Sequence, residues 1–228
     1  MKIMSKEVIA LMPMKGHSER VPNKNVRDFN GKPLLYWVLN ELNKSNYISK
    51  IVVNTDDKKI KEIIKEYFGK EIIVIDRPES LCGDFVSMND IIKYDISQFK
   101  EDQFFLQTHC TNPLLKTETI NNAIETFFDN RREYDSLLTV NRIQCRCYDH
   151  NGQPINHTLG ELKRTQDLNP VYEENSNMFI FSASDFKKNG DSRVGINPFL
   201  FEMDKVESID IDEKEDFVLA EKLHKEFR

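Results

Sequence analysis

Val8-Ile9-Ala10-Leu11-Met12 empties directly into Pro13-Met14-Lys15-Gly16-His17-Ser18-Glu19-Arg20-Val21-Pro22-Asn23-Lys24-Asn25. The short apolar run reads as a buried strand, and the turn-forming residues after it read as a loop. A strand that ends in a Gly/Ser/Asn loop leaves backbone N–H groups without partners. Set among Lys15, His17, Arg20 and Lys24, those donors suit a polyphosphate. On this stretch alone, a solvated loop that happens to be basic is the competing reading.

Outward from it, apolar and amphipathic segments alternate. Lys32-Pro33 opens a helix whose apolar residues at 35, 38, 39 and 42 share one face. A strand is expected at Lys50 to Asn54. A second helix carries Ile60, Ile63, Ile64, Tyr67 and Phe68, and a strand follows at Glu71 to Ile75. The rhythm continues with a helix near Met88 to Phe99, a strand at Gln103 to Gln107, a helix carrying Ile120, Ala123, Ile124, Phe127 and Phe128, and a strand near Ser136 to Val140. Such alternation predicts an α/β fold, a mostly parallel central sheet covered on both faces, with ligands collecting beyond the carboxyl ends of the strands. The opening loop lies at such an end. Residues 143–174 break the pattern; they are polar and contain the turn signal Asn151-Gly152, predicting an insertion of short strands or loop. Order returns with strands at Asn177 to Phe181 and Phe199 to Met203, and with a last helix from Glu213 to Phe227 that presents Phe217, Ala220, Leu223 and Phe227. The expected organisation is one domain over residues 1–228 with an insertion at about 143–174.

The 228 residues can bury a sizeable core, and 39% hydrophobic with 10% aromatic content excludes a disordered chain. A formal charge of −6 argues against a nucleic-acid binder, so the positive charge near residues 15–27 runs against the trend and suits an anionic small molecule. The first residues lack the apolar run of a signal peptide, and no segment approaches a membrane span. Cys82, Cys110, Cys145 and Cys147 lack zinc-site spacing and read as reduced thiols of a cytoplasmic protein.

Four further stretches can carry chemistry. In extended chain, Ser208-Ile209-Asp210-Ile211-Asp212 puts both carboxylates on one side, two hard oxygen donors of the kind Mg²⁺ takes together with phosphate and water. Equally, Asp212 with Glu215 can form a capping box for the last helix, leaving Asp210 as a surface acid. Arg77-Pro78-Glu79 delivers a cation to a strand's end, to meet a phosphate or base or merely to pair with Asp76 or Glu79. Gln107-Thr108-His109-Cys110-Thr111-Asn112-Pro113 joins a strand to a helix with polar side chains able to read sugar hydroxyls; His109 beside Cys110 is no nucleophilic dyad, because neighbours in a strand point apart. Arg164 and Gln166, with Tyr172 and Asn175, gather before a strand. Arg164 can hold a carboxylate bidentately, or this group can simply close the insertion onto the sheet.

Taken in order, these marks resemble the acylneuraminate cytidylyltransferase family, which makes CMP-sialic acid and CMP-3-deoxy-octulosonate. They are Gly16-His17-Ser18-Glu19-Arg20-Val21-Pro22-Asn23-Lys24-Asn25, Gly31-Lys32-Pro33-Leu34, Asn54-Thr55-Asp56-Asp57, Arg77-Pro78-Glu79 with Asp84, Leu106-Gln107 with Asn112-Pro113-Leu114, Tyr172 with Asn175, and Ser208-Ile209-Asp210-Ile211-Asp212 with Asp216. The resemblance implies a three-layer Rossmann-like nucleotidyltransferase fold related to GT-A glycosyltransferases, commonly a homodimer in which the insertion reaches the partner subunit. It implies that Ser18, Lys24, Asn25 and Arg77 contact CTP, and Lys15, Gly16, Arg20 and Asp84 are read as serving CTP beside them. Gln107, Thr108, Arg164, Gln166, Tyr172 and Asn175 would serve an acidic sugar, and Asp210 and Asp212 would hold Mg²⁺, with Lys24, Asp210 and Asp212 central to catalysis. Three departures stand out: Lys15 where the family has arginine, His17 within the glycine–serine turn, and two extra residues after Gln107. The implied reaction is transfer of CMP from CTP to a 2-keto-3-deoxy sugar acid, releasing pyrophosphate, for bacterial surface glycans. A nucleotidyltransferase using a sugar phosphate, phosphonate or amino-acid phosphate is the nearest rival. A GT-A glycosyltransferase would place its Asp-x-Asp near mid-chain, and a noncatalytic nucleotide-binding protein would show no turnover.

Overall fold

The structure, a computed structural model, describes residues 6–83, 85–100 and 103–227. In chain order its elements are β1 (Val8–Leu11), β2 (Asp28–Phe29), β3 (Lys32–Pro33), α1 (Leu34–Lys44), β4 (Ile48–Thr55), α2 (Lys58–Phe68), β5 (Ile72–Asp76), α3 (Met88–Ser97), β6 (Phe104–Thr108), α4 (Thr117–Asp129), β7 (Ser136–Ile143), β8 (Val171–Ser182), α5 (Ala183–Lys188), β9 (Pro198–Glu202) and α6 (Lys214–Phe227).

Among these residues seven strands form one sheet, ordered β5-β4-β1-β6-β8-β7-β9. Only β8 runs antiparallel to its neighbours, β6 and β7; the other pairings are parallel. The mostly parallel sheet expected from the sequence is therefore present. β1 is buried on both faces, which explains its unbroken apolar run. Its Val8 and Ala10 join Met12 and Met14 against α1, α2 and α4, while Ile9 and Leu11 face α3 and α5. Helix starts follow their caps: Asp57 Oδ1 accepts from Ile60 N at 2.9 Å before α2, and Ser87 Oγ from Asp90 N at 3.1 Å before α3.

A third apolar cluster brings Val21, Phe29, Leu34, Ile211, Phe217 and Ala220 together, fastening the amino-terminal loop to the carboxyl-terminal segment. The expected face of α6 is corrected here. Its buried residues are Phe217, Ala220 and His224, whereas Phe227 is exposed. His224 lies edge-on to Phe29 and Trp37, so the buried face of the helix ends on an imidazole packed against aromatic rings rather than on Phe227. Between residues 143 and 171 the chain carries a single 3-10 turn at Thr165–Asp167 and a bridge between Tyr148 and Pro154, rather than a set of short strands. The Asn151-Gly152 turn is present, with Gly152 at φ +76°. β8 begins at Val171, inside the span read from sequence as irregular. Among the described residues no helix is long and apolar enough to cross a membrane.

Candidate active site

The loop that follows β1 forms one wall of a cleft of about 560 Å³ at the carboxyl ends of β1, β4 and β6, within the size range of ligand pockets. Lys15, His17, Ser18, Arg20, Lys24 and Asn25 line it, and Arg77, His109, Thr111, Ser176, Asp210 and Asp212 face them or close its ends. The stretch read as a phosphate cradle and the pair of aspartates thus share a space although nearly two hundred residues separate them. Asp84 lies outside the described residues.

Ile211 explains how the aspartates are presented. Its side chain is fully buried in the third cluster, worth about 1.5–3 kcal/mol. Its N–H donates to Thr111 O at 2.8 Å, and its carbonyl accepts from Lys24 Nζ. With Ile211 turned inward, Asp210 and Asp212 both reach the cleft. The capping role considered for Asp212 and Glu215 belongs to Asp216, whose Oδ2 accepts from Asp212 N at 3.1 Å and Glu213 N at 2.7 Å. The Asp212 side chain instead meets Arg20 Nη2 at 2.8 Å and lies 3.7 Å from Lys24 Nζ; Arg20 Nη1 also donates to Glu213 at 3.1 Å. Asp210 differs. Crowding by protein atoms raises its carboxyl pKa, the Asp212 charge adds to that, and a Thr111 hydrogen bond and Lys24 oppose it. A group held this way gains from a cation brought to its open side.

Gly16 packs where no side chain fits. A Cβ there would lie 2.4 Å from Asp57 Oδ2, and Gly16 N donates to Asp56 Oδ1 at 2.9 Å. Asn25 ties the loop down by donating to Lys15 O at 2.9 Å and accepting from Cys110 Sγ at 3.2 Å. Arg77 pairs with neither Asp76, which meets Lys61, nor Glu79. Its Nε donates to Asn54 Oδ1 at 2.8 Å, and its Nη2 to Met14 O at 3.1 Å and Asn54 O at 2.9 Å, so it clamps the ends of β1 and β4. Behind it, Asn54 Nδ2 donates to the buried Asp95 at 2.5 Å; burial lifts Asp95 to about 6 despite that bond and the nearby Arg77.

The residues expected to read the sugar divide. Gln107 and Thr108 are buried beneath the cleft, Thr108 Oγ1 donating to Asn177 O at 2.7 Å. Asn175 Nδ2 donates to Asn141 Oδ1 at 3.0 Å, beside an irregularity where β7 passes from pairing Phe179 to pairing Glu174. That break turns Ser176 to φ +56° and puts it on the cleft wall. Arg164, Gln166 and Tyr172 stand away from this chain's cleft, and Arg164 is held by Asp167 at 2.7 and 3.0 Å.

Several lining residues were not singled out from sequence: Met14, Thr111, Ser176, and Met88 and Ile91 of α3. Thr111 was reachable, since it sits in the polar loop after Gln107; Ser176 depends on a strand irregularity that leaves no compositional mark. His109, which lines the cleft, falls to about 4 through burial and the charges of Arg193 and Lys24, so it is neutral at neutral pH. Burial pushes the Cys110 thiol up to about 12, in agreement with its exclusion as a nucleophile.

Comparison with known proteins gives a consistent picture. The profile of the family described as cytidylyltransferase matches residues 9–227. The chain is 30% identical over 226 residues to a CMP-N,N'-diacetyllegionaminic acid synthase of Legionella pneumophila, covering 95% of both chains. It is 28% identical over 225 residues to a pseudaminic acid cytidylyltransferase of Campylobacter jejuni, covering 95% of this chain and 96% of that one. In structure it is similar to a CMP:2-keto-3-deoxy-manno-octonic acid synthetase complexed with CTP, at a TM-score of 0.70 and 13% identity, over 96% of this chain and 99% of that one.

Proposed function

This chain belongs to the cytidylyltransferase family, and from that membership we propose that it transfers CMP from CTP to an acidic 2-keto-3-deoxy sugar of the nonulosonate class, releasing pyrophosphate, for surface glycan synthesis. The observation that carries the reading is the meeting, in one cleft at strand carboxyl ends, of the Lys15–Asn25 loop with Asp210 and Asp212. Relatives that make CMP-activated nonulosonic acids support the acceptor class.

In this reading the triphosphate lies along the loop. Lys15, Arg20 and Lys24 offset its charge, the backbone at Gly16 and Ser18 approaches it closely, and Asn25 and Arg77 keep the loop and strand ends in register. The acceptor's anomeric hydroxyl attacks the α-phosphorus and pyrophosphate departs, with no covalent enzyme intermediate. Asp210 and Asp212 offer the hard carboxylate donors that Mg²⁺ takes, and both line the cleft. When bound, the ion would supply Lewis-acid polarisation of phosphate oxygens. Arg20 and Lys24 then exchange Asp212 for the incoming phosphates, so the ion pairs of the free protein keep these cations extended toward the cleft. In a homodimer, residues 143–174 would carry Arg164, Gln166 and Tyr172 to the partner's acceptor site. Four free cysteines, with the Cys145 and Cys147 thiols 3.9 Å apart in a hydrogen bond rather than a disulfide, suit a reducing cytoplasm.

The test is pyrophosphate release from CTP and Mg²⁺ against a panel of nonulosonic and octulosonic acids, sugar phosphates and phosphonates. Turnover with at least one sugar acid is expected. Turnover confined to phosphate or phosphonate acceptors would overturn the acceptor class, and no turnover with any acceptor would overturn the enzyme assignment.

A further inference from the structure

Arg193, in the loop after α5, is half-buried. Its Nη1 donates to Gln107 Oε1 at 2.7 Å, and its guanidinium lies 4.0 Å above the ring of Phe179, the residue that pairs with Gln107 across β6 and β8. Burial lowers its pKa, and Glu174 opposes this through space. Among the described residues no carboxylate reaches it within ion-pair distance. A guanidinium stays charged in any protein, and beyond its bond to Gln107 the remaining N–H donors of this half-buried group have no protein acceptor among the described residues and stay open to a ligand or to water. Stacking on the Phe179 ring offsets part of the cost of partly desolvating the cation.

We propose that Arg193, held by Gln107, anchors the carboxylate of the acceptor sugar. The inference rests on the acceptor class proposed above and names its anchoring residue. Along β6, residues 105, 107 and 109 share the face that packs on α3, where Met88 and Ile91 line the cleft. His109 stands on that wall, with Gln107 Nε2 3.3 Å from its Nε2. Lys24 and Arg193 both act on His109. Lys24 thus lines the cleft beside the triphosphate loop, while Arg193 lies behind the His109 wall and is joined to it through Gln107. Gln107 is fully buried, and its Nε2 donates to Thr108 O at 3.0 Å. The carboxamide is thereby fixed with its oxygen toward Arg193, which leaves the far edge of the guanidinium for a bidentate partner. Arg164, the residue expected from sequence to pair with the carboxylate, is exposed and already bidentate with Asp167.

The experiment measures KM for CTP, for a nonulosonic acid and for its C1 methyl ester in wild type, Arg193→Gln, Gln107→Glu and Arg193→Lys. Arg193→Gln should raise KM for the acid about thirty- to hundredfold, as loss of one partner from a desolvated charge pair does. It should leave KM for CTP within twofold and shrink the preference for acid over ester by the same factor. Gln107→Glu supplies an internal anion to the same guanidinium but gives up the bond to Thr108 O, so it should weaken binding of the acid at some cost in melting temperature; Arg193→Lys, which keeps the charge without the fork and should weaken the acid several-fold, decides the matter if neither other variant folds. An acid KM within threefold of wild type in the folded variants, or a parallel rise for CTP, would overturn the anchor alone. A wild-type enzyme that uses only acceptors without a carboxylate would overturn the acceptor class and the anchor together.

Discussion

At the loop end of the cleft, Arg20, Asp212 and Glu213 exchange ion pairs among half-exposed side chains, with the more buried Lys24 3.7 Å from Asp212. At the α3 end, Gln107 and Thr108 sit below the surface with the half-buried Arg193 against them, each committed by one or two directed hydrogen bonds. The first arrangement is a neutralised store of charge that a ligand can reorganise at little cost, since exposed pairs are weak. The second is preformed, because a buried polar group that moves must leave its partner unpaired. A polyphosphate with its cation suits the former, and a single shaped acceptor suits the latter.

The largest effect that would sharpen this contrast belongs to Asp210. Asp212 is ion-paired with Arg20 and close to Lys24, whereas no ion pair within salt-bridge distance holds Asp210 among the described residues. Asp210→Asn should lower kcat by on the order of a thousandfold with CTP affinity changed only a few-fold, because the lost interaction is one that strengthens in the transition state. Single-turnover kinetics together with calorimetric CTP titration separate the two. Near-normal turnover would remove Asp210 from the chemistry.

Asp95 is next, as the buried support of the loop end. Its folded-state pKa is raised from 3.8 to about 6, so the protonated form is favoured by folding. The stability it contributes is full below pH 4 and is lost as pH rises through about 6. At pH 7.5 the ionised group costs up to about 3 kcal/mol. Asp95→Asn keeps an acceptor for Asn54 Nδ2 and should stabilise the protein by roughly 1–3 kcal/mol at pH 7.5, with the gain vanishing below pH 4. Denaturant unfolding at the two pH values tests it, and a gain that does not depend on pH would contradict this account.

How much of this was legible in the sequence follows the same division. Charged loop-end residues occur in runs, Lys15 to Asn25 and Asp210 to Asp212, and one hydrophobic residue between two acids, Ile211, was enough to present both. The strands and helices of the sheet were legible because burial on both faces of β1 and β4, and on one face of α1, α2 and α4, writes apolar residues at fixed spacing. Arg193 was not legible. It follows the short helix α5, absent from the expected elements, and its meaning comes from β8 returning antiparallel beside β6. Ser176 was hidden for a similar reason, its backbone being turned by a strand irregularity rather than by glycine. His224 was passed over in α6 because a histidine breaks an apolar stripe on paper, while in the fold it packs with Phe29 and Trp37.

A smaller effect is expected where the loop meets α2. Gly16→Ala drives a methyl group into Asp57, the residue that caps α2, so the loop must shift. KM for CTP should rise about tenfold, the 1–3 kcal/mol typical of overpacking being divided between stability and binding. Asp57→Ser shortens the obstructing side chain and retains a capping oxygen. The double variant should therefore recover most of the CTP affinity in steady-state assays. Failure of that rescue would mean that Gly16 serves the ligand through its backbone rather than by yielding room to Asp57.

The smallest effect tests the boundary between the two ends. Arg164 is 73% exposed in its side chain, and its bond to Asp167 spans a single 3-10 turn. Such a pair contributes about 0.2–0.5 kcal/mol, so Arg164→Gln should leave the melting temperature within a degree or so. If Arg193 carries the acceptor's carboxylate, KM for the sugar acid should move less than about threefold in Arg164→Gln, against the far larger change expected at Arg193. A rise that matches Arg193→Gln would return the anchor to the insertion. Because Arg164 stands away from its own cleft, that outcome requires a second subunit, and the KM should then depend on protein concentration across the range where sedimentation shows the dimer dissociating.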